Sequence, residues 1–236
     1  MIVQKCRSAE VQKDRPISNF RTSELPNFRA AIDFKLYLIT DRRLFTDYYS
    51  LFTAVEEALD GGLKAVQLRE KDLEIRELLQ MAYKMREITK KYKAKLFIND
   101  RVDIALAVDA DGVHLGQSSI PPSAARKVAG NKLIIGASTH GIKEALETEK
   151  SGADFITFGP IYKTPSKLKY GKPPGIDVLR KVKSKVSIPV FAIGGIKTDM
   201  VKEVMDAGAD GIALISGILG AEDIKGKTEY FLKLLG

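Results

Sequence analysis

Short apolar runs alternate along this chain with stretches of helical period, from Lys35 to the C-terminal residues. The runs lie at 36–41, 65–70, 95–100, 112–116, 133–138, 155–161, 189–196 and 211–216, eight in all. Most are nearly continuous in apolar residues, the pattern of parallel strands buried on both faces. Between them the spacing changes. In 75–90, Ile75, Leu78, Leu79, Ala82, Met85 and Ile88 fall on one helical stripe, and 176–182 and 200–207 behave likewise. Gly61-Gly62, Gly152 and Gly208 end such stretches just before the next run, where a helix C-cap adopts left-handed backbone. Ser151-Gly152-Ala153-Asp154 recurs as Ala207-Gly208-Ala209-Asp210, 56 residues later. That is about two strand–helix units and suits a cyclic architecture. Eight units with a terminal helix predict an α/β fold, a closed (β/α)8 TIM barrel over 35–236. An open doubly wound sheet is the other arrangement of the same alternation.

Residues 1–34 break this rhythm. They are polar and basic, contain Pro16 and Pro26, and predict a short, flexible or loosely docked N-terminal extension. The total of 236 residues fits one barrel, typically about 250 residues. A single cysteine, Cys6, cannot build an internal disulfide framework, so a reducing cytoplasm is the expected location. There is no signal-peptide core and no run near the roughly 18 apolar residues of a membrane span, so no membrane partner is expected. The net charge of +8 fits either a solvated lysine-rich surface or attraction for anions. No nucleic-acid-binding motif or basic–aromatic block occurs, which excludes nucleic acid as the expected partner and leaves phosphorylated small molecules. A homo-oligomer is left open.

In such barrels the active site lies at the C-terminal strand ends, and polar residues crowd there. Gln67, Arg69 and Lys71 alternate to one side of the second strand. A guanidinium fork and an ammonium suit phosphate oxygens; a locally salt-bridged strand end is the structural alternative. Asn99-Asp100 offers hard oxygens for Mg2+, or Asp100 caps the helix starting near Val102. Gly194-Gly195 and Ser216-Gly217 suit backbone phosphate binding, or tight turns. Thr164, Ser166 and Lys167 open a loop fitted to clamp phosphate. His140 lies past a strand end and could serve as acid or base. His114 lies inside a strand, where a core role is the simpler reading. The two histidines lack metal-ligand spacing, which excludes a zinc site.

The sequence blocks Tyr37–Asp41, Gln67–Lys71, Ile98–Asp100, Asp111–Gln117, Gly159–Tyr162, Ala192–Ile196 and Gly208–Gly211 stand in the order seen in thiamine phosphate synthases. The resemblance covers roughly residues 35–218. It implies an enzyme that joins a hydroxymethylpyrimidine diphosphate to a thiazole phosphate and releases pyrophosphate by Mg2+-assisted dissociative substitution. By position it implies that Gln67, Arg69, Lys71, Asn99, Ser138 and Lys167 contact the pyrimidine diphosphate. Of these, Arg69, Lys71, Lys167 and Ser138 would be catalytic. Asp100 would bind Mg2+, and Thr164, Ser166, Gly195, Ile215 and Ser216 would hold the thiazole phosphate. One position departs from the family pattern: Ser119 stands where a second metal-binding carboxylate is usual. That departure keeps a related thiazole tautomerase, with His140 as acid–base residue, as the rival activity. A barrel that binds thiamine precursors without turnover is the non-enzymatic alternative.

Overall fold

Eight parallel strands pair in chain order: β1 (Leu36–Ile39), β2 (Ala65–Leu68), β3 (Lys95–Asn99), β4 (Gly112–Leu115), β5 (Ile134–Thr139), β6 (Phe155–Phe158), β7 (Val190–Ile193) and β8 (Gly211–Leu214). β8 returns to β1 in the register Leu36↔Ile212, Tyr37↔Ala213 and Leu38↔Leu214, so the sheet is a closed barrel and not an open one. This computed structural model describes residues 32–164 and 173–236. Cys6, Pro16, Pro26, Ser166 and Lys167, with nearly all of the expected extension, lie outside the described residues.

The helices follow the predicted rhythm: α1 (Tyr48–Asp60), α2 (Ile75–Lys91), α3 (Val102–Ala107), α4 (Pro122–Ala129), α5 (Ile142–Lys150), α6 (Gly175–Lys183), α7 (Val201–Asp206), a short α8 (Ser216–Leu219) and α9 (Ile224–Leu235). Several strands stop short of their predicted ends. β2 ends at Leu68 rather than 70, and β7 at Ile193 rather than 196. The polar residues beyond leave the strand ladder for other partners. Arg69, for example, donates its N–H to the Thr40 hydroxyl, not to a neighbouring strand's carbonyl.

Two apolar layers result from the two-residue period of the strands. One packs the outer strand faces against the helices; the other fills the barrel itself. The inner layer is built on Tyr37, Phe97, Phe155 and Phe191, whose rings meet mostly edge-on at 5.3–6.2 Å. Inward-facing glycines make room for them. A Cβ on Gly112 would lie 2.5 Å from the Phe97 ring, and one on Gly136 would lie 2.4 Å from that of Phe155. Phe34 closes the bottom of this layer, 5% exposed and 5.1 Å from the Phe191 ring. Ile32 also packs against this layer, so the barrel's packing reaches into the segment before Lys35.

The N-terminal mouth carries a repeated carboxylate clasp. Asp111, Asp154 and Asp210 each precede an even-numbered strand. Each accepts the first free N–H of the strand before it, from Leu96, Ile135 and Val190 respectively, at 2.7–2.9 Å. Each also pairs with a cation from the helix that leads into that preceding strand: Arg86 of α2, Arg126 of α4 or Lys183 of α6. The repeated Ala-Asp of the sequence is the visible trace of this device.

Candidate active site

On one side of the rim, β2, β3 and β4 bring their polar ends into one hydrogen-bonded chain. Gln67 faces the barrel interior and is 1% exposed. Its Nε2 donates to Asn99 Oδ1 at 2.9 Å, and Asn99 Nδ2 donates to Asp100 Oδ2 at 2.7 Å. Gln67 Oε1 is buried with no partner among the described residues.

Asp100 is not a helix cap. The residue before α3 is Arg101, and no side chain caps that helix. The capping alternative fails because Asp100 sits in left-handed backbone, φ 61°, which is uncommon outside glycine. That conformation aims its carboxylate at the rim. There it accepts the Gly116 N–H at 2.8 Å and the Ser119 hydroxyl, with the Lys71 ammonium at 3.4 Å. Burial pushes the Asp100 carboxyl up, but the Ser119, Gly116 and Asn99 hydrogen bonds and the Lys71 charge outweigh it and hold it below the usual carboxylate range. Glycine at 116 permits this approach, since a Cβ there would lie 3.3 Å from Asp100 Oδ1. Ser119 therefore lies against Asp100, as its position in the sequence pattern implied. The remaining member of this group, Arg69, makes no ion pair among the described residues.

Ser138 lies deeper, at the end of β5. Its hydroxyl is 3.0 Å from His114 Nε2 and 3.4 Å from the Thr157 hydroxyl. His114 is 2% exposed, and its Nδ1 has no partner among the described residues. Burial lowers its pKa to about 3; the Asp100 charge opposes this, and those of Arg69 and Lys71 add to it. His114 is thus a neutral core residue, though not a fully satisfied one. His140 sits on the exposed outer rim, its Nδ1 3.6 Å from Glu144 and its N–H donated to the same carboxylate at 2.7 Å.

The residues expected at a thiazole phosphate follow β6, β7 and β8. Thr164 Oγ1 is buried without a partner among the described residues, beside the segment that carries Ser166 and Lys167. Gly194 and Gly195 have φ 99° and 70° and lie against Pro160, Tyr162 and Lys163, where a Cβ would come within 2.6 and 2.9 Å of its nearest neighbours. Packing alone requires this glycine pair. Tyr162 is held by donating to Glu203 at 2.7 Å; burial first, then that hydrogen bond, raise its pKa to about 12. After β8, Ile215 precedes α8, and exposed Ser216 begins it. A short extra helix after the eighth strand is the usual phosphate-binding element of such barrels.

Thr157, whose hydroxyl meets His114 and Ser138, and the contacts of Thr40 and Glu70 were not expected from the sequence. A signal for Glu70 was present. The alternation Val66, Leu68, Glu70 puts a carboxylate on the helix-covered face, where a charge needs partners. Among the described residues no three His, Cys, Asp or Glu side chains cluster to hold a metal.

Comparison with known proteins extends this picture. A sequence profile of the family described as Thiamine monophosphate synthase matches residues 36–218. A putative thiamine-phosphate synthase of Geobacter sulfurreducens is 51% identical over 206 residues, 87% of this chain and 96% of that one. A thiamine-phosphate synthase of Halalkalibacterium halodurans is 49% identical, covering 86% of this chain and 96% of its own. The solved structure of thiamine phosphate pyrophosphorylase from Pyrococcus furiosus superposes with a TM-score of 0.77 at 46% identity, covering 85% of this chain and 95% of that one.

Proposed function

The chain belongs to the thiamine monophosphate synthase family, and from that premise we infer that it joins a hydroxymethylpyrimidine diphosphate to a thiazole phosphate, giving thiamine phosphate and pyrophosphate. The relatives reported above carry synthase or pyrophosphorylase names, so neither the tautomerase nor the silent-barrel alternative is favoured. The observation that carries the site assignment is the chain Gln67–Asn99–Asp100–Lys71, which runs from a buried polar acceptor to an exposed ammonium.

The unpartnered Gln67 Oε1 suits a donor on the pyrimidine, such as its amino group, and Asn99 fixes the orientation of that amide. Lys71 and Arg69 would hold the departing diphosphate. Lys71 can exchange its carboxylate for phosphate oxygens because the pair is half exposed. Ser138, steadied by His114 and Thr157, would offer its hydroxyl to the pyrimidine diphosphate. Lys167 would add a further cation from the loop. Cations fixed where negative charge builds stabilise a dissociative transition state without rearranging.

The donor set also fits Mg2+: one ionised carboxylate, Asp100, beside the Ser119 hydroxyl. Mg2+ takes few protein carboxylates when phosphates and water complete its shell. Bound there, it would supply positive charge to the diphosphate. Thr164, Ser166, Gly195, Ile215 and Ser216 would hold the thiazole phosphate. The attacking thiazole nitrogen already has a lone pair, so no base is required, and a neutral His114 agrees with that. No described helix is long and apolar enough to cross a membrane, and a cytoplasmic setting remains our reading of the lone cysteine.

Purified protein given both phosphorylated precursors and Mg2+ should release thiamine phosphate and pyrophosphate in equal amounts. Tautomerisation of a thiazole carboxylate phosphate with no thiamine phosphate formed would overturn the assignment.

A further inference from the structure

The β1–β2 edge carries a buried clasp that no substrate contact accounts for. Thr40 follows β1 directly and is fully buried; Glu70, two residues past β2, is 5% exposed. Register sets their meeting: Ile39 pairs with Gln67, and the Thr40 N–H continues the ladder to Gln67 O at 2.9 Å. The Thr40 hydroxyl then works in both directions. It donates to Glu70 Oε1 at 2.6 Å and accepts the Arg69 N–H at 2.9 Å. Glu70 also receives the Arg42 N–H at 3.1 Å on both oxygens. The Arg42 guanidinium reaches past it to Asp72 at 2.7 Å.

The segment 69–72 is therefore tied at Arg69 by its N–H, at Glu70 by its carboxylate and at Asp72 by its carboxylate. Lys71 is left between them, its side chain turned to Asp100. Alternation makes the division of labour plain. Glu70 points into the helix-covered layer while Arg69 and Lys71 point to the rim. Burial raises the Glu70 carboxyl, against the Thr40 and Arg42 hydrogen bonds that lower it. A charge kept in such a place costs free energy unless fully hydrogen-bonded.

We propose that Thr40 and Glu70 are positioning residues that set the backbone of Arg69 and Lys71 for diphosphate binding. The proposal rests on the assignment of those two cations to the diphosphate. Replacing Thr40 by valine keeps the volume but removes both hydrogen bonds and leaves the Arg69 N–H unpaired. Thr40→Ser keeps the hydroxyl. Glu70→Gln keeps an acceptor for Thr40 but sets a second donor near the Arg42 N–H.

The test measures steady-state constants for both substrates, and the affinity for inorganic pyrophosphate by calorimetry. Arg69→Ala and Lys71→Ala serve as references. Thr40→Val should raise the diphosphate KM and the pyrophosphate Kd on the order of tenfold, with the thiazole phosphate KM unchanged. Glu70→Gln should fall in between, and Thr40→Ser should return both constants to within about twofold of the parent. Equal shifts for both substrates, or serine behaving like valine, would show a merely structural clasp. If Thr40→Val fails to fold, Glu70→Gln against Thr40→Ser carries the same comparison. If Arg69→Ala and Lys71→Ala leave pyrophosphate affinity intact, the diphosphate assignment itself is at fault. If they weaken it and the Thr40 and Glu70 variants do not, the positioning role is wrong.

Discussion

Asp154 and Asp100 are both carboxylates beside a cation, at opposite mouths of one barrel. At the N-terminal mouth, Asp154 meets Arg126 at 2.6 Å with side chains 3% and 9% exposed. Arg126 also donates to the carbonyls of Gly130 and Leu133, and Asp154 accepts the Ile135 N–H. These partners leave the pair no way to separate without stranding a charge. At the C-terminal rim, Lys71 and Asp100 stand 3.4 Å apart with side chains 46% and 28% exposed. Here the carboxylate sits in left-handed backbone and the ammonium can leave. The same chemistry serves as a rivet where water is excluded and as an exchangeable contact where water reaches it.

The largest stability effect should come from breaking the rivet. Asp154→Ala strands the Arg126 guanidinium and should cost about 3–5 kcal/mol, measured by urea unfolding. Turnover per folded molecule should be unchanged. A loss below about 1 kcal/mol would put this pair in the same class as the rim pair.

Next comes the buried imidazole between the two mouths. The folded pKa of His114 is about 3, against about 6.5 when unfolded, so the unfolded chain binds the proton first. Its contribution to stability is present above pH 6.5 and is lost as pH falls toward 3. The slope reaches about 1.4 kcal/mol per pH unit. His114→Gln should flatten this acid limb in unfolding experiments at stepped pH; an unchanged limb would place the proton elsewhere.

A third clasp, Lys183–Asp210, has side chains 28% and 38% exposed and sharpens the gradient. Lys183→Ala should cost less than about 1 kcal/mol, as half-exposed pairs do. Asp100→Asn sets an amide donor among the Gly116, Ser119 and Asn99 donors and should cost on the order of 1 kcal/mol. It should also cut turnover at least about tenfold and shift the magnesium titration to higher concentration. Full turnover with an unchanged magnesium titration would remove Asp100 from the metal assignment.

Much of this was readable from the chain. The eight apolar runs are the eight strands, and the stripe at 75–90 is α2. Gly62, Gly152 and Gly208 take positive φ where helix ends were expected. Gln67, Asn99, Asp100 and Lys71 do converge. The strand ends were placed too far along because the residues that follow find partners outside the ladder, as the Arg69 N–H does at the Thr40 hydroxyl. Taken alone, Asp100 read first as a helix cap, and only its backbone conformation removed that reading. The inward glycines Gly112 and Gly136 gave no local signal, since their reason is an aromatic ring on a neighbouring strand.

By itself, the sequence determined the alternation, the number of units and the polar character of one rim, because periodicity and strand-end chemistry are local properties of consecutive residues. Tertiary structure alone decided which carboxylates are rivets and which is exchangeable, which histidine stays neutral, and that Thr40 and Glu70 hold the cations from behind. Those outcomes depend on register and burial. Thr40 meets Glu70 across 30 residues and Arg126 meets Asp154 across 28. A pair so separated acquires its energy only when the closed sheet brings both partners out of water together.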